Sequence, residues 1–335
     1  MAWGEEWREL PPLQHPGFQD IRRRRMPLGV LFHIAAGNVD GLPAYSVVEG
    51  LLAGNINLLK LPSADHGVSV LLLHQLVTIE PALADFVYVF DVPSTDLETL
   101  GQLAALADGL VVWGGEEAVR AAYHMADCRT KIIPWGHKLS FAYATPAASD
   151  GDLSALAEHI CSTNQLLCSS CQGIYLDTCD GQELERFGRR LFAALEKART
   201  NTSKPDLGLA AKAALYLYND QLEAHETGRN IFRGGGVSVS VCPDRALELS
   251  RMCGNCWLKA LPRAEIVPAL KSYRGLLQTC GLLCAPEERQ MLADQLARAG
   301  LVRITEAGEM SRTIPGEAHD GLYPLAAYTR IVESV

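Results

Sequence analysis

The chain has 335 residues, of which 48% are apolar and 21% charged, and its formal net charge is −9. This composition is typical of a globular protein and argues against general affinity for nucleic acid, whose phosphates attract basic surfaces. No stretch reaches the ~20 apolar residues of a membrane span, and the first residues lack the pattern of a secretory signal. We therefore expect a soluble, cytoplasmic protein whose ten cysteines are reduced thiols.

The first part of the chain predicts strands alternating with helices. Residues 1–25 are polar and are expected to form an irregular lead-in, with the basic run at 22–25 in a solvated loop. Strands are then predicted at 29–34, 55–61, 86–90, 109–113 and 131–134, and helices at 42–53, 66–79, 97–107 and 116–125. Apolar strands that alternate with helices are typical of a parallel sheet covered on both faces.

The pattern restarts after residue 139. Strands are predicted at 139–143, 173–177, 237–241, 278–283 and 302–304, and helices at 151–163, 182–199, 207–226, 266–273 and 287–299. Because the chain is too long for one ordinary core, we predict a second three-layer α/β domain. Nucleotides bind at the carboxyl ends of parallel strands, but no G-x-G-x-x-G fingerprint follows any predicted strand.

Two stretches carry most of the chemical information. Residues 164–172 read NQLLCSSCQ and place Cys168 and Cys171 in a small-residue turn after a predicted helix. Residues 33–38 read HIAAGN and lie roughly 130 residues earlier. A cysteine nucleophile needs a flexible backbone and a nearby amide that stabilises an oxyanion, so the two stretches indicate chemistry at an acyl carbon. The residues alone do not decide between Cys168 and Cys171.

The cysteine spacing offers a rival interpretation. Two C-x-x-C pairs, at 168–171 and 253–256, and a further pair at 280 and 284 could form a zinc site or a redox pair. The gaps of 81 and 23 residues between the pairs are awkward for a compact zinc knuckle. No histidine cluster accompanies them, so we predict no metal site.

Four segments resemble the bacterial long-chain acyl-CoA reductases, which supply aldehyde in luminescence systems and belong to the aldehyde dehydrogenase superfamily. They are PLGVLFHIAAGNVDGLPAYSVVEGLLAGNINLLKLPSADHGVS at 27–69, NQLLCSSCQ at 164–172, LLQTCGLL at 276–283 and GEMSRTIPGEAHDGLYPLAAYTRIV at 308–332. The resemblance implies an aldehyde dehydrogenase-like α/β fold with two three-layer αβα domains. It implies a nicotinamide-cofactor-binding domain with a parallel sheet at 1–138 and a catalytic domain at 139–310. The tail at 311–335 is expected to pack near the active site or to return to the cofactor domain.

The resemblance also implies the catalytic residues. Cys168 stands where the family has its nucleophile, four residues after Asn164, whereas Cys171 occupies a position where the family often has proline. Asn38 resembles the asparagine whose side-chain amide, with the backbone N–H of the cysteine, forms the oxyanion hole. The alternative for Asn38 is a loop asparagine that caps the next helix. In the tail, His319 and Asp320 are candidates for a proton donor or a positioning pair.

A further set of residues resembles the family's cofactor site, and NADPH or NADH is the expected cofactor. Lys60 belongs to a Lys-Pro-Ser-Glu-like element that holds the adenosine ribose, and Ser63 or Ala64 stands where the glutamate is expected. Loss of that carboxylate makes a 2′-phosphate tolerable. The glycines after the fourth strand resemble the turn beside the pyrophosphate. The candidate cofactor-binding residues are Ile34, Ala35, Ala36, Gly37, Lys60, Pro62, Ser63, Gly114 and Gly115; for Lys60 the alternative is a lysine exposed at a strand end.

The expected reaction is NAD(P)H-dependent reduction of an acyl thioester to an aldehyde through a cysteine acyl-enzyme. Residues 133–140 lack the water-activating glutamate of hydrolytic aldehyde dehydrogenases, which favours thioester reduction over oxidation to an acid. Expected partners are an acyl-CoA or acyl-carrier-protein thioester, an acyl-transferring partner enzyme and a second copy in a homodimer. The alternatives are a non-catalytic or zinc- or redox-regulated acyl-carrier-binding protein of the same fold, and an aldehyde dehydrogenase acting in the oxidative direction.

Overall fold

A computed structural model of the chain describes residues 9–13, 21–37, 39–63, 66–314 and 316–334. The chain divides into two compact units, the first formed by Met1–His137 with Ile314–Val335 and the second by Lys138–Thr313. The elements of the first unit are β1 (Glu9–Leu13), β2 (Ile21–Pro27), β3 (Val30–Ile34), α1 (Leu42–Leu52), β4 (Ile56–Lys60), α2 (Val68–Ile79), β5 (Val87–Phe90), α3 (Leu97–Ala105), β6 (Gly109–Trp113), α4 (Glu116–Met125), β7 (Lys131–Trp135), α10 (Pro324–Ala327) and β15 (Thr329–Ser334).

The elements of the second unit follow the same alternation. They are β8 (Leu139–Ala144), α5 (Asp150–Thr163), β9 (Cys171–Leu176), α6 (Gly181–Asn201), α7 (Leu207–Thr227), β10 (Asn230–Gly234), β11 (Val237–Cys242), β12 (Asn255–Ala260), α8 (Ile266–Leu270), β13 (Leu277–Leu283), α9 (Arg289–Ala299) and β14 (Arg303–Glu306). Within the described residues, no helix is long and apolar enough to span a membrane.

The first unit is built on a five-stranded parallel sheet with the order β5-β4-β3-β6-β7. The neighbouring residues Leu31 and Phe32 of β3 are both fully buried, in different apolar clusters, because successive strand residues face opposite sides of a covered sheet. The chain moves outward from β3 to β5 and then returns to β6 on the other side of β3. This reversal makes β3 and β6 a topological switch point, where open α/β sheets bind ligands at the carboxyl ends of the strands.

The first unit contains a second sheet of three strands, where an irregular lead-in was predicted for residues 1–25. Its strands are antiparallel and have the order β1-β2-β15. The basic run at 22–25 lies in β2 and not in a solvated loop, and its residues alternate in exposure along the strand. The prediction was wrong because β2 is paired by residues 329–334 from the far end of the chain, a contact that no local pattern announces.

The second unit is built on a seven-stranded sheet with the order β10-β11-β12-β9-β8-β13-β14. All its neighbours are parallel except β10, which runs antiparallel to β11. Helices cover both faces, so that Ala142 and Tyr143 of β8 are fully buried in separate clusters. Strand β9 begins at Cys171, two residues before the predicted start, and directly follows the segment that carries Cys168.

Candidate active site

The segment between α5 and β9, residues 164–170, is called the cysteine loop below. Cys168 lies in it and is exposed, whereas Cys171 is fully buried at the first position of β9. Burial raises the pKa of the Cys171 thiol well above its usual range, and its Sγ lies 3.2 Å from the carbonyl oxygen of Gly173. A thiol in that environment is a poor nucleophile because the thiolate is the reactive species. Of the two candidates, the accessible one is Cys168.

The backbone around Cys168 forms a tight turn. The N–H of Ser170 donates to the carbonyl oxygen of Leu167 at 3.0 Å, and the N–H of Leu167 donates to Ser170 Oγ at 3.1 Å. Ser140 of β8 donates from its hydroxyl to the carbonyl oxygen of Cys168 at 2.6 Å and accepts from the N–H of Thr279 at 3.1 Å. The central strands of the sheet therefore hold the peptide group of Cys168.

A buried histidine, which the sequence analysis did not single out, supports the end of the cysteine loop. His159 of α5 is 5% exposed, and its Nε2 accepts a hydrogen bond from the N–H of Cys171 at 3.3 Å. Burial lowers the pKa of His159 to about 4, so the ring is neutral at pH 7 and can accept this bond. Its signal in the sequence was only a histidine on the apolar face of a helix, which is more often a core residue than a functional one.

The remaining cysteines provide no metal site among the described residues. None of the ten forms a disulfide, and Cys253, Cys256 and Cys280 are buried. In the described part of the chain, no group of three or more histidine, cysteine, aspartate or glutamate residues is arranged to hold a metal ion.

In the first unit, the predicted cofactor residues lie along the carboxyl edge of the five-stranded sheet. Ile34 ends β3 and pairs with Lys60, the last residue of β4, and with Val112 of β6. The segment 35–37 and the pair Gly114-Gly115 therefore follow the two strands of the switch point. Pro62 is partly buried and Ser63 is exposed beyond the end of β4. Asn38 and Ala64 lie outside the described residues.

Lys60 is buried, so the alternative interpretation of this residue as a lysine exposed at a strand end was wrong. The residue is 3% exposed, and its Nζ donates to Ser94 Oγ at 2.9 Å. Burial lowers the pKa of Lys60, and the nearby carboxylate of Asp91 opposes that shift. An ammonium carries three N–H donors, so Lys60 at this strand end is a suitable donor for an oxygen-rich ligand.

The two glycines after β6 differ in what a side chain would meet. A Cβ at Gly114 would lie 3.0 Å from the Cβ of Ala118, whereas a Cβ at Gly115 would have no heavy atom within 4 Å. Gly114 is thus constrained by packing, and Gly115 opens the start of α4 to a ligand. Glu116 and Glu117 occupy the first turn of this helix and weaken its attraction for an anion.

The His319 and Asp320 pair lies in a tight turn of the first unit. The N–H of His319 donates to the carbonyl oxygen of Leu322 at 2.8 Å, and Asp320 has a positive φ of 49°. The imidazole of His319 packs against Trp113 and Trp135, with ring centroids 5.0 and 5.1 Å apart. Since those tryptophans end β6 and β7, His319 belongs to the same sheet edge as the predicted cofactor residues.

A buried polar network lies beneath this edge. His33 Nδ1 is 2.7 Å from Ser46 Oγ, which also accepts from Trp113 Nε1 at 2.9 Å. On its other side, His33 Nε2 is 3.0 Å from Asn57 Oδ1. Complete burial lowers the pKa of His33 to about 4 and keeps the ring neutral at pH 7. The network links β3, β4 and β6 to α1 under the switch point.

Glu49 extends the network and was also missed by the sequence analysis. The hydroxyls of Tyr45 and Tyr328 lie near its carboxyl group and favour the charged form, and the Tyr328 hydroxyl accepts a hydrogen bond from Trp135 Nε1 at 3.2 Å. Burial raises the pKa of Glu49 to about 7, because removal from water disfavours the charged carboxylate. The only hint in the sequence is a lone glutamate in the apolar helix α1.

The chain matches a known family over almost its whole length. Residues 13–331 match the acyl-CoA reductase (LuxC) family. The chain belongs to this family. It is 26% identical over 310 residues to "Long-chain acyl-protein thioester reductase 2" of Photobacterium leiognathi, and 26% identical over 321 residues to "Long-chain acyl-protein thioester reductase" of Aliivibrio fischeri. These alignments cover 90% and 93% of this LuxC-family chain but only 63% and 65% of the relatives.

Solved structures confirm the aldehyde dehydrogenase-like fold of this LuxC-family chain. The indole-3-acetaldehyde dehydrogenase AldA of P. syringae superimposes with a TM-score of 0.75 at 14% identity, covering 97% of this chain and 71% of that one. The succinic semialdehyde dehydrogenase of Streptococcus pyogenes superimposes with a TM-score of 0.74 at 15% identity, covering 98% and 78%. At these identities the likeness establishes the fold and not the substrate.

Proposed function

We propose that this LuxC-family chain reduces an acyl thioester to an aldehyde with NAD(P)H, through an acyl-enzyme on Cys168. The observation that carries the proposal is the exposure of Cys168 in a turn held by Ser140, while Cys171 three residues on is buried. The names of the relatives, long-chain acyl-protein thioester reductases, support an acyl thioester as substrate. The first unit is assigned to the cofactor and the second to the nucleophile.

The acyl group moves from one sulfur to another in the first half of the reaction. The Cys168 thiolate attacks the thioester carbonyl carbon, the bond from that carbon to the carrier sulfur breaks, and the carrier thiolate takes up a proton. The side-chain amide of Asn38 and the N–H of Cys168 are assigned to the oxyanion. The hydrogen bond from Ser140 to the Cys168 carbonyl supports this role, since it fixes the backbone on which the N–H depends.

The residues at the sheet edge fit a nicotinamide cofactor. Lys60 offers a buried ammonium at the end of β4, and Gly115 leaves the start of α4 open. With Ser63 or Ala64 where a ribose-binding glutamate is expected, a 2′-phosphate is tolerated there, so NADPH as well as NADH is proposed as the cofactor. When bound, the reduced cofactor would supply the hydride that converts the acyl-enzyme to a thiohemiacetal; breaking the bond from its carbon to the Cys168 sulfur then releases the aldehyde and restores the thiol. His319, beside Asp320 and against Trp113, is assigned as the proton donor or positioning residue at that edge.

The stretch 133–140 supports reduction over oxidation. It contains no aspartate or glutamate that could activate water against the acyl-enzyme. Without such a base, the acyl group on Cys168 is kept for reduction and is not lost as a carboxylic acid. We further propose that coenzyme A or an acyl-carrier protein delivers the acyl group. An acyl-transferring enzyme is the proposed partner, and the chain is proposed to form a homodimer.

Intact-mass measurement after incubation with a panel of acyl-coenzyme A thioesters tests the proposal. The expected result is one acyl group per chain, lost in Cys168→Ala and retained in Cys179→Ala, which removes another exposed cysteine. An adduct that survives in Cys168→Ala would contradict the assignment. Tight thioester binding without any adduct would instead favour a non-catalytic acyl-carrier-binding protein.

A further inference from the structure

We propose that Gln165 and Gln172 are positioning residues for Cys168. Their side chains, called the glutamine clamp below, join the two ends of the cysteine loop to each other and to a second loop at residues 250–254. The proposal relies on the proposed function only for the choice of Cys168 as the reacting residue. The contacts that carry it all lie within the second unit.

Gln165 fixes the beginning of the cysteine loop. It is 2% exposed, and its Nε2 donates to the carbonyl oxygen of Cys171 at 2.9 Å, across the base of the loop. Its Oε1 accepts from the N–H of Gly254 at 3.1 Å. One side chain thus connects the start of the loop, the start of β9 and the neighbouring loop.

Gln172 fixes the end of the cysteine loop. It is 4% exposed, and its Oε1 accepts from both the N–H and the hydroxyl of Ser250, at 3.1 and 2.9 Å. Its Nε2 donates to the carbonyl oxygens of Gln165 and Ser170, at 3.3 and 3.4 Å. The amide orientation is determined by these partners, since N–H donors require the oxygen and carbonyls require the NH₂ group.

The backbone on both sides of the clamp is strained. Of the five non-glycine residues with positive φ in the described part of the chain, four lie here: Asn164 (47°), Gln165 (62°), Met252 (62°) and Cys253 (54°). The N–H of Cys253 donates to the carbonyl oxygen of Asn164 at 3.2 Å, so the two strained pairs are in direct contact. Such conformations persist only where the surroundings determine them, and they cluster at functional sites.

A buried arginine completes the support at the end of α5. Arg199 of α6 donates from Nη1 to Asn164 Oδ1 at 3.2 Å and to the carbonyl oxygen of Cys161 at 3.3 Å. The segment before Cys168 is therefore held by Arg199 and Gln165, and the segment after it by Gln172. The thiol lies on the short stretch between them, and its direction follows from where the two ends are fixed.

The substitution Gln172→Glu tests the clamp because it keeps the shape and the acceptor for Ser250. It replaces the NH₂ group by an oxygen that faces the carbonyls of Gln165 and Ser170, which reverses two attractive contacts. Gln182→Glu makes the same chemical change at an exposed position of α6 and serves as the matched control. Ser250→Ala removes one of the two bonds to Gln172 Oε1, together with the bond that Ser250 Oγ accepts from the N–H of Met252, but keeps both donor bonds of Gln172 Nε2, so it is the second variant if Gln172→Glu fails to fold.

Three readouts separate positioning from simple destabilisation. Acylation of Cys168 by p-nitrophenyl acetate requires an aligned oxyanion site, and we expect its rate constant to fall at least about tenfold in Gln172→Glu and by less in Ser250→Ala. Alkylation of Cys168 by iodoacetamide needs no oxyanion site and is expected to stay within about threefold. Amide hydrogen exchange is expected to quicken at both 164–170 and 250–254, and Gln182→Glu is expected to match the parent in all three.

Three results would overturn the clamp. One is an acylation rate in Gln172→Glu close to that of the parent. Another is unchanged hydrogen exchange in both loops. Iodoacetamide labelling of the buried Cys161 and Cys171 along with Cys168 would show general unfolding and would also contradict a positioning role. If the parent chain is alkylated at Cys168 but is acylated there neither by p-nitrophenyl acetate nor by the acyl-coenzyme A panel, the proposed function fails, and the exchange measurement still decides the clamp.

Discussion

The hydroxyl of Ser140 donates a 2.6 Å hydrogen bond to the carbonyl oxygen of Cys168. Ser140 lies in β8 and Cys168 in the loop before β9, so a residue of the sheet holds the peptide group of the proposed nucleophile. Ser140 is fully buried and also accepts from the N–H of Thr279. Its hydroxyl is therefore both a support for the loop and a partner for a buried donor.

We expect Ser140→Ala to lower both stability and acylation. The variant loses two hydrogen bonds and leaves the buried N–H of Thr279 without this acceptor, which costs about 2–3 kcal/mol of unfolding free energy. Acylation of Cys168 is expected to slow by about tenfold because the backbone N–H is less well held. Urea unfolding and the p-nitrophenyl acetate burst measure the two effects. Ser154→Ala, at a partly buried position of α5, is the control; equal behaviour of both variants would contradict the role of Ser140.

Because of Glu49, we expect the free energy of unfolding to decrease as the pH rises toward neutral. The pKa of Glu49 is about 7 in the folded chain, and its ordinary value of 4.5 applies to the unfolded chain. Between these pH values the folded state therefore binds one more proton than the unfolded state. The contribution is fully present below pH 4.5 and falls by about 1.4 kcal/mol per pH unit until about pH 7. Glu49→Gln should therefore gain stability relative to the parent from pH 5 to 7.5, measured by urea unfolding. Glu223→Gln, at an exposed position of α7, should show no such trend, and a flat difference for Glu49→Gln would contradict the assignment.

His159 should give the opposite trend, a free energy of unfolding that rises with pH. Its folded pKa of about 4 is below the ordinary value of 6.5, so the unfolded chain binds the additional proton between these values. Its contribution is present above pH 6.5 and is lost, by about 1.4 kcal/mol per pH unit, as the pH falls toward about 4. His159→Gln keeps an acceptor for the N–H of Cys171 and should flatten the acid side of the stability profile. His225→Gln, on exposed α7, should leave that slope unchanged; the same slope in His159→Gln would refute the claim.

Ser63 predicts the cofactor preference. Placing a carboxylate there by Ser63→Glu should weaken NADPH relative to NADH by about tenfold, because the 2′-phosphate then meets a like charge. Ser63→Gln has nearly the same shape without the charge and should leave the ratio close to that of the parent. The ratio of the two dissociation constants, from titration of protein fluorescence with each cofactor, measures the effect. An unchanged ratio in Ser63→Glu would place the ribose away from this residue.

The local patterns of the sequence were sufficient to predict the elements around the switch point. Strand β6 and helix α4 have the predicted bounds, because an apolar run, two glycines and an amphipathic helix follow one another without ambiguity. Strands β2 and β15 were not predicted, since they stabilise each other across some 300 residues of chain and β2 is rich in arginine. Periodicity within one segment contains no information about such a partner.

In the candidate site, too, local sequence patterns do not reveal what depends on tertiary packing. The sequence identified the cysteine loop but could not separate Cys168 from Cys171, because the difference between them is burial and burial is a property of the packed sheet. Glu49 and His159 were missed because a polar residue on the buried face of a helix looks alike whether it is functional or a satisfied core residue. Asn38, which the resemblance assigns to the oxyanion, remains a prediction because it lies outside the described residues.

A pulse–chase experiment tests whether Cys168 carries an acyl group that NADPH reduces to an aldehyde. The chain is incubated with a long-chain acyl-coenzyme A without cofactor, and fragment-ion mass spectrometry locates the acyl group; NADPH is then added. We expect a single acyl group on Cys168 that disappears on addition of NADPH with formation of an equal amount of aldehyde. An acyl group on Cys171, or one released from Cys168 as the carboxylic acid, would contradict it.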